Sequence, residues 1–134
     1  MESKDRWITS KTSVYNLGYH IIWCPKYRRP ILTGDVETRL KTLLDERSKH
    51  LGCVLEKMEI MPEHVHLFIK TPPTIAVHFL VAQLKGYTSR VLRDEFHHLR
   101  SKLPCLWTRS YYVESVGHIS EKTIVKYIEE QKNK

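Results

Sequence analysis

Apolar residues recur along this chain in two rhythms. From Val14 to Cys24 they cluster with strand formers, densest in Tyr19-His20-Ile21-Ile22-Trp23, and Pro25 ends that strand or sets it near an edge. A second strand is expected over Cys53–Met61, and a third begins after the short connection Met61-Pro62-Glu63, so the two should form an antiparallel hairpin. Between the first two strands Val36, Leu40, Leu43, Leu44 and Leu51 recur at helical spacing, with Glu37, Arg39, Lys41, Asp45 and Arg47 on the other faces. Asp35 is the expected N-cap of this helix and Gly52 its C′ residue. A second helix is predicted to start at Pro72-Pro73-Thr74. Val77, Leu80, Leu84, Tyr87 and Val91 mark its buried side, and Gly86 interrupts its middle. Residues 97–110 read as irregular, and Tyr111–Val116 as a last strand. After a hinge-like Gly117-His118, Ser120 caps a final helix that runs to about Gln131.

The order β-α-β-β-α-β followed by one more helix predicts an α+β fold of the ferredoxin-like, RRM-like kind: an antiparallel sheet with helices on one face and the other face open for function. All 134 residues fit one domain, with residues 1–13 expected to be loosely held.

The third strand carries the first candidate chemistry. Residues two apart on a strand share a face, so His64 and His66 project together with Phe68 beyond them, while Val65, Leu67 and Ile69 point toward a core. Two imidazoles side by side can hold a divalent metal if a third ligand arrives from elsewhere. The final helix offers one. Ile124, Val125 and Ile128 form its apolar stripe, and Tyr127 and Gln131 lie together at the stripe's edge, one turn apart. A carboxamide oxygen suits Mg²⁺ or Mn²⁺, and a phenol suits nucleophilic attack on a phosphate that a cation polarises.

Charge narrows the partner. The chain has 22 Lys+Arg against 15 Asp+Glu, a formal net charge of +7, which favours an anionic partner and nucleic acid first. Lys26-Tyr27-Arg28-Arg29 places an aromatic among three cations, which against a plain solvated loop favours contact with nucleic acid; the family resemblance given below makes that DNA. Lys85, Arg90 and Arg93 on the second helix are further DNA-binding candidates against a solvated helix face. Lys85-Gly86-Tyr87 resembles the start of an RNA-recognition motif but sits in a helical pattern, which rules that reading out. His20 flanks the metal site without being counted as a ligand, and the adjacent His97 and His98 are read as surface residues. Three cysteines, Cys24, Cys53 and Cys105, form no C-x-x-C pair; Cys24 and Cys53 are expected to be buried and inert. No apolar run reaches the ~18–20 residues that span a bilayer, and the polar N-terminus lacks a signal-peptide core, so a cytoplasmic protein is expected.

Three stretches together, Tyr19–Arg29, Met61-Pro62-Glu63-His64-Val65-His66-Leu67 and Tyr127-Ile128-Glu129-Glu130-Gln131, resemble the single-tyrosine HUH transposases, the small transposases of insertion sequences that move as single-stranded DNA. The likeness spans essentially the whole chain in order and spacing; Glu63 stands where many members have Asp. The resemblance implies that His64, His66 and Gln131 hold the metal. It implies that Tyr127 attacks the scissile phosphate, giving a 5′-phosphotyrosine and a free 3′-hydroxyl that can later reseal the DNA. It further implies a homodimer that binds subterminal DNA hairpins, with a mobile catalytic helix at 119–131 that one subunit can offer to the other through a flexible link near Gly117. A non-catalytic module of the same topology that binds single strands, and a metal-dependent nuclease using water in place of Tyr127, are the alternative readings.

Overall fold

The computed structural model describes residues 8–9, 13–116 and 129. A small antiparallel hairpin, β1 (Ile8–Thr9) with β2 (Val14–Tyr15), precedes the main sheet. The main chain order is then β3 (Leu17–Trp23), a 3₁₀ turn (Lys26–Arg28), α1 (Gly34–His50), β4 (Val54–Met61), β5 (His64–Thr71), α2 (Val77–Glu95), the short α3 (His97–Ser101) and β6 (Tyr112–Val116). The four long strands pair antiparallel in the order β4-β5-β3-β6, with β3 and β5 central, which is the split βαβ arrangement expected from the sequence. The final helix expected over 119–131 lies outside the described residues, as does the break at Gly117-His118.

Strand β5 shows why the sheet has two unlike faces. Val65, Leu67, Ile69 and Thr71 are buried, and His64, His66, Phe68 and Lys70 between them are half-buried, a strict period of two. The buried set joins Ile21 and Trp23 of β3 and Ile60 of β4 beneath α1 and α2. Those helices contribute Val36, Leu40, Leu43 and Leu44, and Leu80, Val81, Leu84 and Leu92. Arg39 clamps Glu95 with two hydrogen bonds of 2.8 and 2.9 Å, and Arg47 reaches Gln83 at 2.6 Å, so the helices are tied together along their outer edge.

Several boundaries differ from the sequence reading. The first strand breaks at Asn16, where β2 leaves the small hairpin and β3 enters the main sheet. Helix α1 starts at Gly34 after an extended Thr33, so Asp35 is not the cap; with Glu37 it lies in the first turn, where a carboxylate meets the positive end of the helix dipole. Its other end is as expected. Gly52 has φ +77°, its N–H donates to the Lys49 carbonyl and that of Cys53 to Ser48, a Schellman closure that needs a left-handed residue at that point. Helix α2 starts at Val77, not at Pro72-Pro73-Thr74, which form the turn leaving β5. Its buried side extends to Thr88 and Leu92, whereas Tyr87 and Val91 are half-buried.

The larger correction concerns 97–110. His97–Ser101 is helical, and Leu99, Leu103, Leu106 and Trp107 are buried. The segment is pinned to the loop after β3: Lys26 N–H donates to the Leu106 carbonyl at 2.8 Å and Thr108 N–H to the Cys24 carbonyl at 3.0 Å. Trp107 packs edge-on against Trp23, and its indole N–H donates to Oγ1 of the fully buried Thr88 at 3.1 Å. Thr88 in turn donates to the Leu84 carbonyl, so the buried hydroxyl and indole satisfy each other's needs. Cys53 is buried as expected, but Cys24 is half-buried and Cys105 is exposed.

Candidate metal and nucleic-acid site

The sheet face away from the helices is where the His pair emerges. Strand register places Glu59 of β4 and Ile22 of β3 on either side of His66, and Lys57 and His20 on either side of Phe68. The tight β4–β5 turn, Pro62-Glu63, puts Met61 opposite His64 at the start of β5. Beside His66, an open hollow of about 450 Å³ is lined by Lys57, Met58, Glu59, His66 and Phe68.

Each histidine has a carboxylate near Nδ1. Oε1 of Glu63 lies 2.9 Å from Nδ1 of His64, a hydrogen bond that does not use Nε2 of that ring. Oε1 of Glu59 lies 3.7 Å from Nδ1 of His66, an electrostatic contact beyond hydrogen-bond length. A carboxylate hydrogen-bonded to an imidazole fixes its orientation, the usual support of a metal-binding histidine, and His64 has it. The donor chemistry of the pair therefore fits a divalent cation. Among the described residues no cluster of three or more His, Cys, Asp or Glu forms a metal site by itself. A further donor is needed, and Gln131, the expected one, lies outside the described residues together with Tyr127.

His20, set aside as a flanking residue, is drawn into the site. Its Nδ1 lies 3.1 Å from Nε2 of His66, and its ring stacks on Phe68 with centroids 5.0 Å apart and planes 27° from parallel. Gly18 allows this: a Cβ there would come within 2.9 Å of the Phe68 ring. Only the β3–β5 register reveals these contacts, because His20 and His66 are 46 residues apart in sequence. On the edge strand β6, Tyr112 donates its hydroxyl to Glu114 at 3.0 Å, which raises the phenol's pKa and keeps it protonated.

The basic loop stands at the His64 end of the sheet. Leu32 N–H donates to the carbonyl of Pro62, in the turn that precedes His64, at 3.0 Å. Within the loop Tyr27 and Arg28 both have positive φ, 59° and 51°, a left-handed conformation costly for residues with a Cβ. The Arg28 and Arg29 N–H groups hold it through bonds to Pro25 and Lys26. The result turns Tyr27 outward, 63% exposed, with the Lys26 ammonium over its ring. Arg28 and Arg29 are exposed beside it.

The three cations on α2 do not join this group; their helix covers the opposite face of the sheet. Lys85 is tied down: its Nζ donates to the carbonyls of Thr108 and Ser110 at 2.6 and 3.1 Å, and burial lowers its pKa. Arg90 lies over the Tyr87 ring, and Arg90 and Arg93 line a shallow hollow with Ser89 and Arg100. His97 and His98 are exposed on α3, as expected.

A split βαβ sheet with a carboxylate-backed His pair on its open face and a basic aromatic loop at one end has the make-up of a nucleic-acid-processing domain. Comparison with known proteins makes this specific. The sequence profile of the family described as "Transposase IS200 like" matches residues 13–131. The chain is 39% identical over 123 residues to the ISDra2 transposase TnpA of Deinococcus radiodurans, covering 90% of this chain and 88% of that protein. It is 31% identical over 119 residues to the transposase for insertion sequence element IS200 of Salmonella typhimurium, covering 87% and 78%. A crystal structure of a putative transposase from Deinococcus radiodurans R1 superposes with a TM-score of 0.78 at 34% identity over 92% of this chain and 97% of that one. A REP-associated tyrosine transposase bound to a REP hairpin shares the fold at a TM-score of 0.55 and 14% identity, over 90% and 68%. The chain belongs to the IS200-like transposase family and is a DNA transposase.

Proposed function

We propose that this transposase cleaves and rejoins single-stranded DNA at the ends of an insertion sequence by tyrosine transesterification. The observation that carries the proposal is the His64–His66 pair, half-exposed on the open sheet face, with Glu63 and Glu59 behind it and the Lys26–Arg29 loop at its end. His64 and His66, with Gln131, would hold Mg²⁺ or Mn²⁺. When bound, the cation supplies charge stabilisation to the phosphate oxygens under attack. Tyr127 attacks the scissile phosphorus through its phenol oxygen. A P–O bond to tyrosine forms, the P–O3′ bond breaks, and the departing oxygen takes up a proton as a 3′-hydroxyl. The linkage retains the energy of the broken diester, so a 3′-hydroxyl can reverse the step and join strands without ATP.

The outward ring of Tyr27 would stack on an unpaired base while Lys26, Arg28 and Arg29 neutralise phosphates. Subterminal hairpins are the proposed recognition element, in line with the REP hairpin held by the transposase of like fold. The working unit is a homodimer in the cytoplasm, whose active sites combine the His pair of one subunit with the Tyr127 helix of the other. Among the described residues no helix is long and apolar enough to cross a membrane. Labelled single-stranded ends with hairpins, incubated with the protein with and without Mn²⁺, test the proposal: metal-dependent cutting is expected. Binding without any cutting would instead identify a module that only binds single strands.

A further inference from the structure

We propose that the groove between the loop after β3 and α3 is a second nucleic-acid subsite, which receives an unpaired base from the single-stranded flank of the DNA. The proposal rests on the single-strand reading above and extends it to α3, whose residues that reading does not use. Two stretches of the chain, 13–34 and 96–113, contain no Asp or Glu, although the whole chain has 15. The fold lays them side by side: Lys26 N–H donates to the Leu106 carbonyl, Thr108 N–H donates to the Cys24 carbonyl, and Pro25 bridges Trp107. On α1 the cations Arg39, Lys41 and Lys49 are each paired with a carboxylate. The two acid-free stretches can offer each other no such partner, so their cations add to one field that favours an anion.

The groove between them holds about 470 Å³, within the size range of small-molecule sites. Half-buried Ile31 and buried Leu99 and Leu103 give it an apolar floor, and the exposed Arg29, His98 and Lys102 form its rim. Among the described residues no carboxylate lines it. An apolar slot under a basic rim suits a ligand that is flat and weakly polar in one part and anionic in the next. A nucleotide has that make-up. Its base enters the slot, where the His98 imidazole and the Arg29 guanidinium offer planar surfaces for stacking, and its phosphate meets Lys102. A base paired in a stem would first have to leave its stack, which an unpaired base need not do. The groove is also continuous with the cutting site. Arg29 belongs to both loop and groove, and Ile31 precedes Leu32, whose N–H donates to Pro62 in the turn before His64.

An abasic scan tests the subsite. A hairpin-bearing single strand loses one unpaired base at a time, and fluorescence anisotropy in EDTA reads its affinity for wild type, His98→Ala, Lys102→Ala and Lys102→Arg. Both side chains are exposed, so the variants keep the fold. With wild type, removing one particular flank base should weaken binding by about 5- to 100-fold. With His98→Ala the same removal should cost under about threefold, because base and slot wall form one interaction. Lys102→Ala should flatten the slope of log K against log salt by about 0.7, and Lys102→Arg should leave it unchanged. Equal base sensitivity in wild type and His98→Ala at every position, a His98-dependent base found only in the hairpin, or an unchanged slope in Lys102→Ala would each overturn the subsite. A wild-type chain that binds no single strand would instead overturn the reading on which it rests.

Discussion

Glu63 holds the residue that follows it: its Oε1 sits 2.9 Å from Nδ1 of His64 and engages that nitrogen rather than Nε2. The two-residue turn at Pro62-Glu63 makes this contact possible between neighbours. If the ring is a ligand, the carboxylate sets its tautomer. Glu63→Ala should weaken Mn²⁺ binding by about 10- to 100-fold, and Glu63→Gln, whose carbonyl still accepts the proton, by less. Calorimetric titration of the two variants checks this; equal affinities for wild type and Glu63→Ala would remove Glu63 from the site.

Tyr27 is held at φ 59° and 63% exposed, and strain at such a position is tolerated where an outward side chain has a use. Tyr27→Gly should therefore move two quantities in opposite directions. Unfolding free energy should rise by up to about 1 kcal/mol as the left-handed strain is relieved. Single-strand affinity should fall by roughly 1–3 kcal/mol as a stacking surface is lost. Denaturant titration and a fluorescence-anisotropy assay on the same samples read both; unchanged affinity would mean that Tyr27 touches no base.

Lys85 makes a contrast with the loop cations. Because it grips the carbonyls of Thr108 and Ser110, Lys85→Met should cost about 1–3 kcal/mol of stability and leave the salt dependence of DNA binding unchanged. Arg28→Ala, at an exposed residue proposed to meet phosphate, should leave stability nearly unchanged and flatten the slope of log K against log salt by about 0.7. Burial lowers the Lys85 pKa, so just below the ordinary lysine range the unfolded chain binds more protons than the folded one. The stability of wild type relative to Lys85→Met should accordingly rise as pH climbs through that window.

Burial also pushes the Cys53 thiol up to about 11, whereas Cys105 is exposed. Near pH 8 a thiol reagent should label Cys105 at once and Cys53 only on unfolding. Above the ordinary thiol value of 9.0 the unfolded chain ionises at Cys53 and the folded chain does not, so stability should fall with pH up to about 11. Cys53→Ala should remove that part of the slope.

What the sequence displayed depended on how local each signal is. The alternation in His64–Thr71 is a period-two pattern, and it put the two histidines on the open face correctly. Gly52 is legible because a left-handed helix end has few chemical solutions. The buried residues of 97–110 show how a periodic signal is passed over: Leu99, Leu103, Leu106 and Trp107 recur at i, i+4, i+7 and i+8, yet only His97–Ser101 is helical, and backbone hydrogen bonds at Leu106 and Thr108 pin the end of the segment to the loop after β3. Lys85 looked like a DNA contact because a cation on a helix face reads alike whether it meets phosphate or a carbonyl. The His20–His66 contact depends on pairing between distant strands, which composition and spacing do not encode. The IS200-like match over residues 13–131 accords with the family resemblance carried by the three motifs.

The most direct measurement compares wild type with Tyr127→Phe on a hairpin-bearing single strand labelled at its 3′ end, in Mn²⁺, on a denaturing gel. In the proposed step the tyrosine takes the 5′ phosphate of the downstream fragment, so this label would follow the covalent product. Wild type should give a cut strand and a slow, protein-linked band. Tyr127→Phe should bind the hairpin with unchanged affinity and give neither. Cutting by Tyr127→Phe at the wild-type rate, with no protein-linked band from either chain, would contradict tyrosine transesterification and point to a water-using nuclease.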